Sequence, residues 1–304
     1  FAALKSGDTL ILAAGNYGKL NMANKTFADT VTVKGGSFTG VALSNVSNLT
    51  LDGSIIKLTP TLTSTQNTQA VRVVQSDHIT ITNAKISGGL AINGVPQTAT
   101  ALDATGNVLG LPTGKGVNFE TSQDCSINNS DITLFHKGVT FSDSDNIDIS
   151  YNTIHDLRTS PITGSVLNGL TIIGNHTWTS HPWNFGGAGD HGDRIHILTD
   201  HESAHNIVIK DNLLEQGAGE AMLGVYLDDN GQNLGFHDVT ITGNTIIEGT
   251  GQGVLLENVY GTVSDNTLIW SGTGTAANNT PRFQITDKSH YIVFTNNSGH
   301  VHVI

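Results

Sequence analysis

Ile207-Val-Ile209-Lys-Asp-Asn212 and Val239-Thr-Ile241-Thr-Gly-Asn244 are two copies of one pattern: an apolar alternation, a two-residue polar turn, then Asn. The pattern also reads as Ile147-Asp-Ile149-Ser-Tyr-Asn152, Leu170-Thr-Ile172-Ile-Gly-Asn175, Thr262-Val263-Ser-Asp-Asn266 and Ile292-Val293-Phe-Thr-Asn296. Weaker copies stand at Leu49-Thr-Leu51, Ile79-Thr-Ile81 and Ser126-Ile127. Successive Asn residues are 23, 37, 32, 22 and 30 positions apart. The short intervals set a base period, and the long ones are that period plus an insertion. A second alternation precedes most copies, as in Val71-Arg-Val73, Ile195-His-Ile197, Val225-Tyr-Leu227 and Val254-Leu-Leu256. Gly often stands just before it, as at Gly116, Gly138, Gly224 and Gly253.

Strict alternation makes each strand bury one face and expose the other. Two or three short strands per period, with no helical segment between them, predict one coil of a parallel β-helix. One Asn per coil fits, because stacked Asn side chains can hydrogen-bond from coil to coil and Asn tolerates a left-handed corner. A β-propeller needs a period of about 40–50 residues and different motifs. The expected architecture is all-β, a single solenoid domain over residues 1–304, with its main insertion at about 176–194.

Composition agrees. Charged residues are only 13% of 304, and the deficit is filled by Gly (35 residues), Asn, Thr and Ser. These residues favour turns and strands over long helices. Cys125 is the single cysteine, so no intrachain disulfide is expected. No apolar run is long enough for a membrane helix, and no leader-like segment opens the chain. The net charge is −12 with 14 Lys and Arg residues, which argues against nucleic acid as a partner.

The opening Leu4-Lys-Ser-Gly7-Asp8-Thr-Leu-Ile-Leu12-Ala-Ala-Gly15-Asn-Tyr17 reads as turn, strand and turn. With the Asn-bearing coils it resembles right-handed parallel β-helix proteins that act on polysaccharides. These include the chondroitinase B/alginate lyase type and the mannuronan C-5-epimerase type. The resemblance implies a right-handed coil, a secreted or periplasmic bacterial setting and an acidic polysaccharide as partner. It carries over no catalytic residue. The epimerase signature Asp-Pro-His-Glu/Asp has its nearest counterpart in Asp190-His191-Gly192-Asp193, which lacks the Pro, and the lyase-type Lys is missing near Ile195–Glu202.

The candidate site is read from an anomaly. Six of the 13 His residues fall within 176–205, as do Trp178 and Trp183, two of the three Trp residues. Histidine serves acid–base chemistry and metal binding near neutrality. Aromatic faces stack on sugar rings, and Arg194 can hold a carboxylate bidentately. By alternation, Ile195 and Ile197 point inward, so Arg194 and His196 are expected outward. The next coil then sets Tyr226 beside His196, about 4.8 Å away at the backbone, with Asp228 and Glu257 on the same face.

β-Elimination on a uronate needs a neutralised carboxylate, a base and an acid. Arg194 suits the first, His196 or His191 the second and Tyr226 the third. Trp178, Trp183, Asp190, Asp193, Asp228 and Glu257 are expected to bind substrate. C-5 epimerisation, or glycoside hydrolysis by a carboxylate pair, would use the same fold, and a non-catalytic adhesion or filament module is the alternative outside enzymology. No cofactor is required by the sequence. Asp228-Asp229-Asn230-Gly231 is a candidate Ca²⁺ turn that reads equally as an Asx turn.

Overall fold

In the computed structural model, the residues described are 1, 3–59, 68–89, 114–180, 192–216, 223–248, 252–272 and 280–303. The alternating segments stack as parallel strands in three ladders. The first runs through Gln69–Val74, Lys115–Glu120, Ile162–Val166, Ile195–Leu198, Val225–Asp228 and Val254–Leu256. The second contains Asp77–Thr82, Gln123–Asn128, Asn168–Ile173, Ala204–Lys210 and Phe236–Thr242. The third contains Lys85–Ser87, Asp131–Thr133, Thr153–Leu157, His176–Ser180, Leu213–Glu215 and Thr245–Glu248. Each coil crosses the ladders in that order. The longer connections therefore all run from the third ladder to the first.

Alternation decides what is inside. On the second ladder Ile79, Ile127, Leu170, Ile207 and Ile241 are buried to 2% exposure or less, within one apolar core along the axis. Each such side chain contributes about 1.5–3 kcal/mol on burial. The corner into the third ladder uses two successive positions. The first is left-handed and is filled by Gly53, Asn83, Asn129, Tyr151, Gly174, Asp211, Gly243, Asp265 and Asn296. A left-handed backbone disfavours ordinary L residues, hence Gly, Asn and Asp. The second position carries the stack. Asn152, Asn175, Asn212 and Asn244 each donate their backbone N–H to the side-chain oxygen of the Asn one coil on, at 2.9–3.0 Å.

The stack corrects the last copy. Asn266 donates to Asn297 at 3.0 Å, while Asn296 is the left-handed residue before it. The cause is register: Val263 pairs with Phe294, so Phe294 is the counterpart of the inward residue and Val293 is 56% exposed. The insertion is also narrower at its start than expected. Residues 176–180 form a regular third-ladder strand, and 181–191 lie outside the described residues. Among the described residues no helix is long and apolar enough to cross a membrane.

Candidate active site

The first ladder presents an outward row: Asn118, Thr140, Thr163, His196, Tyr226 and Leu255 occupy one register position in successive coils. His196 and Tyr226 are direct partners, and their rings stack with centroids 4.7 Å apart and planes at 9°. Carboxylates surround them. His196 Nε2 lies 3.2 Å from Asp228 Oδ2, and its Nδ1 lies 3.4 Å from Asp193 Oδ2. The Tyr226 hydroxyl donates to Glu257 Oε1 at 3.1 Å.

These contacts separate the proton affinities. Burial, helped by the charges of Asp228 and Glu257, raises the pKa of Tyr226, so the phenol keeps its proton. For Asp228, burial pushes upward, but hydrogen bonds from His196, the Asn230 N–H and Tyr226 hold it below the usual carboxylate range. Glu257 is raised, first by burial and then by Asp228 and Asp229, against the hydrogen bond from Tyr226. Asp193 and Asp228 thus flank the imidazole, and a protonated phenol stacked on it donates to Glu257, whose carboxyl is shifted the opposite way to that of Asp228. Groups pushed apart in this way mark acid–base assignments.

Arg194 does not join them, which corrects the outward orientation expected from alternation. It is only 2% exposed, and its Nη1 donates to Ser180 Oγ at 2.7 Å. The physical reason is the corner. Arg194 stands just before its strand, where other coils carry Gly116, Gly138, Gly224 and Gly253. A Cβ at Gly224 would meet Ile246 Cγ2 and one at Gly138 would meet Ile154 Cγ2, both core atoms. That position therefore points inward, and Arg194 enters the interior beside Glu248. Burial, the largest effect, raises the Glu248 carboxyl well above the usual range; Arg194 pulls it down and Asp193 pushes it up. An acid raised on folding stabilises the fold below its unfolded pKa, and that contribution is lost as pH rises through the folded value. Glu248→Gln is therefore expected to leave the Tm unchanged in acid and to raise it towards neutral and alkaline pH. A Tm difference that does not vary with pH would contradict this.

Other expected residues scatter. Trp178 is on the third ladder, stacked on His155 with centroids 4.5 Å apart and planes at 5°. It faces away from the His196 row because its strand belongs to a different side of the coil. Trp183, Asp190 and His191 lie outside the described residues. Asp193, 4% exposed, contacts His196 and accepts the Leu223 N–H at 3.3 Å. In the candidate Ca²⁺ turn, Asp228 Oδ1 accepts the Asn230 N–H at 2.7 Å, forming an Asx turn. Asp229 is 2% exposed and accepts the N–H groups of Asn233, Leu234 and Gly235. Its oxygens hold a loop.

Two residues escaped the sequence reading. Lys115 and Lys137 are register partners at the start of their strands. They line a cleft of about 290 Å³ on the same face, with Thr140 and Thr163 at its wall. The signal was present, since Lys115-Gly-Val-Asn-Phe119 and Lys137-Gly-Val-Thr-Phe141 are a tandem pair. It was hidden because both lie far from the His-rich segment in sequence.

The fold and this face can be set beside known proteins. A family model described as right handed beta helix region matches residues 115–299. No curated protein matches the chain. Among solved structures, the surface adhesin PfbA of Streptococcus pneumoniae is 14% identical, covering 99% of this chain and 81% of its own, with a TM-score of 0.61. An alginate lyase from Paenibacillus sp. str. FPU-7 is 13% identical over 99% of this chain and 94% of its own, with a TM-score of 0.49. A family 28 exopolygalacturonase from Yersinia enterocolitica is 11% identical over 99% of this chain and 73% of its own, also at 0.49. At such identities the likeness concerns the fold alone.

Proposed function

The chain belongs to the right-handed β-helix family, and from that premise we propose that it cleaves an acidic, uronate-containing polysaccharide by β-elimination. The observation that carries the reading is the His196–Tyr226 stack with its separated carboxylates. Asp193 beside Nδ1 orients the imidazole and leaves Nε2 to face substrate in place of Asp228. His196 takes the C5 proton. The C–H electrons become the new C4–C5 double bond, the bond from C4 to the glycosidic oxygen breaks, and that oxygen receives the Tyr226 proton. Arg194, being buried, leaves the substrate carboxylate to other cations.

The setting would be extracytoplasmic, where such polymers occur. A hydrolytic reading has one observation in its favour. Asp228, shifted down, and Glu257, shifted up, both reach Tyr226, and a carboxyl pair pushed apart in this direction suits a base and an acid.

Incubation with alginate, polygalacturonate and glycosaminoglycans separates the outcomes. Ultraviolet-absorbing unsaturated uronate ends are the expected result. New reducing ends without unsaturation would replace elimination by hydrolysis. Solvent deuterium at C5 without cleavage would indicate epimerisation. Binding with no chemistry would place the protein with adhesion modules.

A further inference from the structure

We infer that the Lys115–Lys137 cleft is an anion subsite that recognises a carboxylate or sulfate on the polymer, two coils from the reacting bond. The inference rests on the proposed site at His196 for the direction in which the polymer lies, but not for anion binding itself.

The first ground is electrostatic concentration. The chain has a net charge of −12 and only 14 Lys and Arg residues in 304. Lys115 and Lys137 nevertheless line one cleft together, beside the buried His136 that precedes Lys137 in sequence. The His136 imidazole is held well below its ordinary value by burial, then by the charges of Arg158, Lys137 and Lys115 in that order.

The second ground is register. Lys115 and Lys137 face each other directly across adjacent parallel strands, about 4.8 Å apart at the backbone. Like charges in that relation destabilise a sheet, and burial already lowers the Lys115 ammonium despite the opposing pull of Glu120. An anion bound between the two side chains would accept from both ammonium groups.

The third ground is shape. Asn118, Thr140 and Thr163 face outward yet are 3%, 5% and 4% exposed. The face there is recessed, a cleft of about 290 Å³ whose lining also includes Asn230 and one carboxylate, Asp200. Asn118 Oδ1 accepts from Lys115 Nζ at 3.3 Å and from Thr140 Oγ1 at 2.6 Å, which orients the lysine along the cleft. Thr140, Thr163 and His196 are consecutive in the outward row. The subsite is thus about 10 Å from the imidazole along the axis. A polymer lying parallel to the axis would place an anionic group on the lysines and a neighbouring linkage at His196 and Tyr226.

The test is calorimetric binding in a Tyr226→Phe background, in which turnover is slowed about 10²–10⁴-fold. The probes are an oligogalacturonate, an oligoalginate, the methyl-esterified oligogalacturonate and a sulfated carrageenan oligosaccharide. Lys115→Gln with Lys137→Gln is expected to weaken binding of the anionic probes by about tenfold or more, the size of a lost charge-assisted contact. The esterified probe should be unaffected. Carboxylate and sulfate recognition are separated by whichever probe loses more.

The same double variant should keep the parent's Tm, because glutamine can still hydrogen-bond within the cleft; a purely structural pair would lower it. Equal losses for charged and esterified probes, or no binding of any anionic probe by the parent, overturns the subsite. Anion binding lost in the double variant, with no polymer cleaved by the wild-type protein, would instead retain the subsite and reject β-elimination. Cleavage by the double variant with unchanged KM would do the reverse.

Discussion

Tyr226→Phe is expected to lower kcat on the cleaved polymer by about 10²–10⁴-fold, the usual contribution of a positioned general acid. The change removes one oxygen. The phenyl ring retains the geometry that stacks on His196 at 4.7 Å, so the imidazole keeps its neighbour. The proton donor to the leaving oxygen is lost, with the hydroxyl's hydrogen bonds to Glu257 and Asp228. The Tm should move little because the hydroxyl belongs to a partly exposed side chain. KM should also move little, since the donor acts as the bond breaks rather than on binding. The measurement is steady-state kinetics with a thermal melt of the same sample. A variant with wild-type kcat would remove Tyr226 from the mechanism.

The largest effect on stability is expected at the Asn stack. Asn212→Ala should cost about 3–5 kcal/mol, from groups left without partners in the interior at roughly 1–3 kcal/mol each. Asn212 is 1% exposed, and its side chain has four contacts. Its Nδ2 donates to the Ile172 carbonyl and to Asn244 Oδ1, both at 2.9 Å. Its Oδ1 accepts the Asn175 backbone N–H at 2.9 Å and Asn175 Nδ2 at 3.1 Å. Alanine supplies none of these, and water does not reach the position.

Asn212→Ser is the informative comparison. Ser130 fills the same place two coils below Asn175, and its Oγ accepts the Ala84 N–H at 3.0 Å. Serine should therefore recover part of the loss. Chemical denaturation measures both variants. Equal stability of Asn212→Ala and wild type would mean that the stack contributes nothing net.

Register governed what could be read in advance. The alternation in Ile195–Leu198 and Val225–Asp228 was enough to pair His196 with Tyr226, because strands one period apart can stack only with their apolar faces on the same core. The same logic failed for Arg194. It lies one residue outside the strand, where the backbone turns a corner and alternation no longer applies. It failed for Trp178 because nearness in sequence to His196 conceals a change of ladder.

Local chemistry written along the chain was therefore sufficient for the solenoid. Alternating apolar residues, a left-handed turn residue and a stacking Asn repeat within each coil, and each acts over a few residues. The partners of charged side chains depend instead on which coils become neighbours and on which way a corner residue points. Lys115 and Lys137, 22 positions apart in the chain, became adjacent only when two coils stacked. Arg194 became an interior residue only when its corner closed over Ser180 and Glu248. Those are three-dimensional distances, and only the assembled solenoid decided them.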